Sequence, residues 1–129
     1  MYCIDTSVII DIFRGDENLK EQLAELMHDP VYISPIVLAE LFKGAYLASR
    51  PQEALALVEE FLHSVELLPF DERACNIFGK CYAELQKKGE QTQELDLMIA
   101  SVALAHNAHL VTRNIKDFIK IPGLHVLSL

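Results

Sequence analysis

Three cysteines, no tryptophan, five glycines and five prolines are all this 129-residue chain carries of the residues that staple, anchor or break structure. Cys3, Cys75 and Cys81 are odd in number and form no CxxC pair, which excludes a disulfide framework and a thiolate zinc site. They read as buried thiols in a reducing compartment, so the expected location is the cytoplasm. No apolar run approaches the roughly 20 residues of a membrane span, and the N-terminus has no basic signal-peptide start. Positive charge is scarce as well. Eleven Lys and Arg stand against 19 Asp and Glu, a net charge of -8, which argues against a protein that grips nucleic acid through a basic surface. The acids must instead gather around a cation or serve a basic partner protein. The five histidines, His28, His63, His106, His109 and His125, show no HExxH or cysteine-linked spacing and read as surface or packing residues.

What is present is an ordinary globular composition, 51% hydrophobic and 23% charged, with no repeat, linker or low-complexity segment. The expectation is one domain over residues 1–129. Tyr2-Cys3-Ile4 reads as a short strand, and the capping residues Asp5-Thr6-Ser7 lead into an apolar helix reaching Arg14-Gly15. A helix from Asp16 to His28 stops at Pro30. Val31-Tyr32-Ile33 is a strand, and Ser34-Pro35 opens a helix to Ala48 whose inward stripe is Ile36, Val37, Leu41 and Gly44. Helices follow over Gln52–His63 and from the Asp71 cap to Lys88, with a strand at Val65–Leu68 between them. After the polar loop Lys87–Thr92 come a helix from Glu94 to Ala105, a strand at His109–Thr112, a turn or short helix at Arg113–Phe118 and a last strand at Leu124–Leu127. Short apolar strands alternating with helices predict a three-layer α/β/α sandwich on a mainly parallel sheet, with its site beyond the carboxyl ends of the strands.

The helix at Glu94 is the odd element. Past Asp96 it is apolar on every side, so it is buried all round, yet Asp96 lies on the rows of Ile99, Ala100 and Ala103. A carboxylate facing inward is kept only when capped, paired or bound to a cation. Three further acids stand where the fold would gather them. Asp5 follows the first strand, where capping is the plainer role. Glu40 lies within an apolar helical stripe, where its plainer role is an ion pair with Lys43. Asp117 follows the strand ending at Thr112, with Asn114 as a neutral oxygen donor nearby; turn chemistry is the plainer role of both. Carboxylates in one cleft repel one another unless a cation neutralises them, and oxygen ligands suit Mg²⁺ or Mn²⁺. A cation that keeps its waters suits phosphodiester hydrolysis.

Four blocks in order carry a resemblance: Ile4-Asp5-Thr6-Ser7-Val8-Ile9-Ile10, Val37-Leu38-Ala39-Glu40-Leu41, Asp96-Leu97-Met98-Ile99-Ala100, and Leu110-Val111-Thr112-Arg113-Asn114-Ile115-Lys116-Asp117-Phe118. Together they make the chain resemble the PIN domain and, within it, the VapC-like toxin ribonucleases of type II toxin–antitoxin systems. The resemblance implies a PIN-like fold and an Mg²⁺- or Mn²⁺-dependent endoribonuclease. Asp5, Glu40 and Asp96 match the family's metal-binding acids. The family's fourth acid varies in position; Asn114 stands at the nearer place here, so Asp117 is the expected charge and Asn114 its helper, which leaves one or two ions open. Thr6 and Thr112 match hydroxyls that orient the acids or the water. Arg113 is either a contact to substrate phosphate or a solvated turn residue. The resemblance also implies a small antitoxin lying along the active-site groove, which an acidic surface would suit if that partner is basic, and a homodimer.

Two other classes compete. A PIN-like fold without catalysis would be a partner platform with weak cation affinity and no cleavage. A structure-specific DNA nuclease would need DNA-gripping additions for which this compact chain has no room. A phosphoaspartyl phosphatase built on Asp5 lacks its second aspartate, because position 7 is serine. RNA target and cleavage site are encoded by no motif in the chain.

Overall fold

Consecutive residues of a strand point to opposite faces of its sheet, so a strand buried at every position must be covered on both sides. Cys3 and Ile4 are fully buried, as are Leu110, Val111 and Thr112. The computed structural model, which describes residues 1–129, accounts for this. Strands β1 (Tyr2–Ile4) and β4 (His109–Thr112) lie side by side at the middle of a five-stranded sheet. Strand β2 (Val31–Ile33) flanks β1, and β3 (Glu66–Leu67) and β5 (Val126–Ser128) form the edges, in the order β3-β2-β1-β4-β5. Every pairing is parallel, with Ile4 opposite Val111 and Cys3 opposite Tyr32. The expected α/β/α sandwich is therefore observed, with the sheet wholly rather than mainly parallel. Successive strands step one way from β1 through β2 to β3, whereas β4 and β5 lie on its other side. The crevice where that direction reverses, between the carboxyl ends of β1 and β4, is where such sheets bind ligands.

The helices start where capping chemistry permits. Asp5 opens α1 (Thr6–Phe13), and the Asp16 carboxylate caps α2 (Glu17–Leu26) by accepting from Leu19 N–H at 3.0 Å. Ser34 accepts from Val37 N–H to open α3 (Pro35–Leu47), with proline at the first helical position, a role Pro51 repeats in α4 (Pro51–Leu62). Asp71 caps α5 (Glu72–Lys87), which packs along α6 (Glu94–Ala105). The short α7 (Ile115–Phe118) follows β4 and drives Phe118 into the core. No helix is long and apolar enough to cross a membrane.

Four local expectations need correction. The apolar pattern at Val65–Leu68 marks what is buried rather than what pairs, and the one at Leu124–Leu127 begins two residues before its strand. On the edge strand β3 the ladder is Glu66–Leu67, both exposed, while Val65 and Leu68 are the buried anchors beside it. Strand β5 starts only after the turn at Gly123, whose φ is 78°. Cys75 is exposed: α5 turns Ala74, Cys81 and Leu85 inward, and position 75 lies off that face. Gly44 likewise falls outside the inward stripe of α3, which runs through Ile36, Val37, Leu41 and Ala45.

Helix α6 is buried as its composition requires, at Leu97, Ile99 to Ala103 and Ala105. Its Ser101 spends its hydroxyl on the Leu97 carbonyl at 2.6 Å, so the one polar side chain in that stretch is satisfied. Truncating a fully buried leucine loses its transfer energy and leaves a cavity. Leu97→Ala is expected to lower the unfolding free energy by about 3 kcal/mol, and Glu94→Gln, one turn earlier and exposed, by less than about 0.5 kcal/mol. Denaturant titration of the two variants checks the contrast.

Candidate active site

Strand β1 delivers Asp5 to the crevice, and the burial of its carboxyl is compensated bond by bond. Its backbone N–H donates to the Val111 carbonyl at 2.8 Å, extending the sheet ladder one residue past the strand. Oδ1 accepts from Thr6 N–H at 2.8 Å; Oδ2 accepts from Ser7 Oγ at 2.9 Å and from Thr112 Oγ1 at 2.7 Å. Each hydroxyl has one proton, and both protons are committed to Oδ2. The 3.4 Å approach of Ser7 Oγ to Thr112 Oγ1 therefore carries no proton of its own. Backbone donors hold the hydroxyls in that sense: Arg113 N–H donates to Ser7 Oγ at 3.2 Å, and Asn114 N–H to Thr112 Oγ1 at 3.0 Å. A carboxylate offers about four lone-pair positions. Three are filled on Asp5, so about one is left for a ligand.

Glu40 reaches the same place from the middle of α3. Its carboxylate accepts from Thr6 Oγ1 at 2.9 Å rather than pairing with Lys43. Thr6 thus ties the two acids together, its N–H on Asp5 and its hydroxyl on Glu40.

Asp96 stands in the first turn of α6, half-buried, and caps nothing: the helix begins at Gln93 with no side-chain cap bond. Capping, the plainer reading of Asp96, is excluded by this geometry. Its carboxyl is pushed up to about 6, first by loss of water and then by the charges of Asp5, Asp117 and Glu40, against a smaller opposing pull from Lys120. Four carboxylates from four separate elements therefore share one field. Asp117, exposed on α7, lines a cleft of about 250 Å³ with Gln91, Thr92, Gln93, Asp96 and Lys120. Asn114 contributes its backbone N–H to Thr112, while its side chain is exposed and makes no cap bond.

Of the residues that sequence reasoning singled out, Arg113 is placed apart from the four acids. Its guanidinium pairs with Asp16 at 2.9 Å and stands 3.6 Å from Asp11. Two further residues act at the site without a motif that assigns them there. Ser7 looked like a capping hydroxyl, and its position two residues after Asp5, at the start of an apolar helix, was the available signal. Lys120, whose Nζ donates to the Gln91 carbonyl, is the cation acting on Asp96. Nothing in the linear sequence brings it there.

The donor set is all oxygen, negatively charged and like-charge strained, which fits a hard divalent cation. No three Asp, Glu, His or Cys side chains converge closely enough to enclose an ion by themselves. A cation held here would touch few of them directly and complete its shell with water, as Mg²⁺ does.

The raised Asp96 carboxyl sets a pH dependence for the cation-free protein. Below about pH 4 it is protonated both folded and unfolded, and contributes no penalty. Between its unfolded value of 3.8 and its folded value of about 6, the unfolded chain releases the proton first, so stability falls as pH rises. Because the group is half exposed, only part of the shift reaches stability, about 1 kcal/mol. In a chelator at pH 7.5, Asp96→Asn is expected to melt about 3 °C above the parent. That gain should vanish near pH 3.5, and melting curves across pH measure it.

Comparison with known proteins places the fold in a family. The PIN domain pattern matches residues 2–124. A Rickettsia felis protein named Ribonuclease VapC2 is 33% identical over 126 residues, 96% of this chain and 94% of the relative. The Salmonella typhimurium protein named tRNA(fMet)-specific endonuclease VapC is 34% identical, over 97% of this chain and 95% of its own. The solved structure of VapBC2 from Rickettsia felis bound to a promoter DNA fragment superposes with a TM-score of 0.93 at 32% identity, covering 99% of this chain and 98% of that one. With the sheet order, the crevice and the four acids in place, the chain belongs to the PIN domain family, among its VapC-type members.

Proposed function

We propose that this chain is a divalent-cation-dependent endoribonuclease that hydrolyses RNA phosphodiester bonds, and that it is the toxin of a toxin–antitoxin pair. The observation that carries the reading is the Asp96 carboxyl, raised first by burial and then by three other carboxylates that arrive from β1, α3 and α7. Structural acids are not usually crowded this way at the crevice of a parallel sheet. The names of the relatives support RNA as substrate.

Asp5, Glu40, Asp96 and Asp117 are the proposed holders of Mg²⁺ or Mn²⁺. When bound, such a cation supplies a polarised water for attack and neutralises charge on the phosphate. The chain's own residues prepare that chemistry. Ser7, Thr112 and the Thr6 N–H fix the Asp5 carboxylate in one orientation and leave it about one free lone pair. Thr6 fixes Glu40 against it. The buried body of α6 holds Asp96 in place, because a helix packed on all sides has little freedom to shift its first turn. Asp117, on the solvent side of the cleft, can receive or hold water at the exposed edge.

The partner reading is part of the proposal. Relatives are solved as VapBC complexes from Rickettsia felis and Salmonella typhimurium, and the net charge of -8 suits a basic antitoxin. Tyr46 and Leu47 at the end of α3, 68% and 77% exposed, leave apolar surface for association with a second copy. The reducing compartment expected from three unpaired thiols is the cytoplasm.

Purified protein with Mg²⁺ or Mn²⁺ is expected to cut RNA, with tRNA the first substrate to try and single-stranded DNA run beside it. Asp5→Asn and Asp96→Asn should each lose at least about 100-fold in rate, the scale of removing a direct cation contact. Variants that cut as fast as the parent would contradict the mechanism, and equal cleavage of DNA would contradict the substrate class.

A further inference from the structure

The turn between β4 and α7 faces two ways. Its backbone N–H groups at Arg113 and Asn114 point at the hydroxyls that hold Asp5, and its arginine side chain reaches the other way, to the junction of α1 and α2. An N–H group can only donate. Arg113 N–H takes one of the two lone pairs of Ser7 Oγ and Asn114 N–H one of the two of Thr112 Oγ1, which holds each hydroxyl with its single proton on Asp5 Oδ2. If the turn moved by an ångström, either hydroxyl could rotate, and Oδ2 would lose a donor. The turn is therefore what sets the number of lone pairs Asp5 has left.

Thr112 before the turn and Phe118 in α7 are buried, but residues 113–117 between them are exposed and have little packing of their own. What ties the turn down is the guanidinium of Arg113, at 2.9 Å from Asp16 Oδ2 and 3.6 Å from Asp11 Oδ2. Asp16 is itself fixed, because its other oxygen caps α2 through Leu19 N–H. Those two contacts, the Leu19 N–H first and Arg113 next, hold its carboxyl below the usual carboxylate range. With two carboxylates against it, the guanidinium has its charge fully answered locally. That makes it a poor phosphate contact, since such contacts draw on uncompensated positive charge.

We propose that Arg113 and Asp16 form a latch that positions Asp5: the ion pair fixes the β4–α7 turn, and the turn's N–H groups aim the Ser7 and Thr112 hydroxyl protons at the Asp5 carboxylate. Arg113 is a positioning residue and does not touch the RNA. The inference rests on the proposed cation-dependent nuclease and adds how its first ligand is kept in one orientation.

Two variants separate the latch from a phosphate contact. Asp16→Asn keeps a good helix cap and removes the charge; Arg113→Lys keeps the charge and removes the planar fork. Because the pair is largely exposed, both variants should fold with small losses of stability. Backbone amide exchange should speed up at Arg113 and Asn114 in both. Mn²⁺ affinity by calorimetry should fall about 10-fold, the size of effect typical for residues that orient a ligand. kcat on RNA should drop by a similar factor, with KM and its salt dependence unchanged. A KM that rises in Arg113→Lys while kcat holds, or RNA binding that tightens in Asp16→Asn as the arginine is released, would make Arg113 a phosphate contact and overturn the latch. Variants that match a parent competent in both Mn²⁺ binding and cleavage would overturn the latch alone. A parent that does neither would overturn the nuclease reading and the latch with it.

Discussion

Like charges brought together in a poorly hydrated crevice raise one another's free energy, and the arrangement around Asp5 is organised by that cost. Burial, and after it the charges of three other carboxylates, lift the pKa of Asp96 to about 6, while Asp5, the most buried of the four at 4% exposure, is surrounded by donors. The difference follows from position. Asp5 leaves the sheet where an N–H and two hydroxyls are within reach, and its charge is answered by protein. Asp96 begins a helix with no capping side chain, and its charge is answered only by Lys120 at a distance and by the positive end of α6. The less satisfied acid is the one with most to gain from a cation.

The parallel sheet is the reason such a place exists. Strands β1 and β4 are buried on both faces and offer no room for charge along their length, so polar chemistry is confined to their ends. The reversal of strand order between them opens a gap at the carboxyl side into which Asp5, Thr112 and the β4–α7 turn project. Helices α3 and α6 bring one acid each to the same gap. Each helix is otherwise apolar toward the core, so packing fixes the backbone and the acid comes along.

The fold could be read from the chain because its signals are local: capping residues before apolar runs, proline at helix starts, and a helix with charged residues only in its first turn. Asp5, Glu40, Asp96 and Asp117 were legible for the same reason, as charges at positions where an apolar pattern or a strand end leaves them little else to do. The rest depended on neighbours far along the sequence. Ser7 is 105 residues from Thr112, with which it shares Asp5, and a hydroxyl after an aspartate looks like part of a cap. The use of Arg113 depends on Asp16, 97 residues earlier. Lys120 meets Gln91 only because α7 folds back beside the start of α6. Cys75 and Gly44 were misplaced by about a quarter of a helical turn, which sequence spacing alone resolves poorly.

Strand β1, the middle of the sheet, comes before every other strand in sequence. Its neighbour β2 follows within about thirty residues, but its other neighbour, β4, is made more than a hundred residues later. Until then β1 is an open edge, and Asp5 has neither the Val111 carbonyl behind it nor the Thr112 hydroxyl in front. Pairings this distant close late in folding, because the loop entropy must be met before the contact rewards it. The segment from β1 to α6 is thus made without a finished centre to its sheet, and the four acids share one crevice only once β4 and α7 have followed.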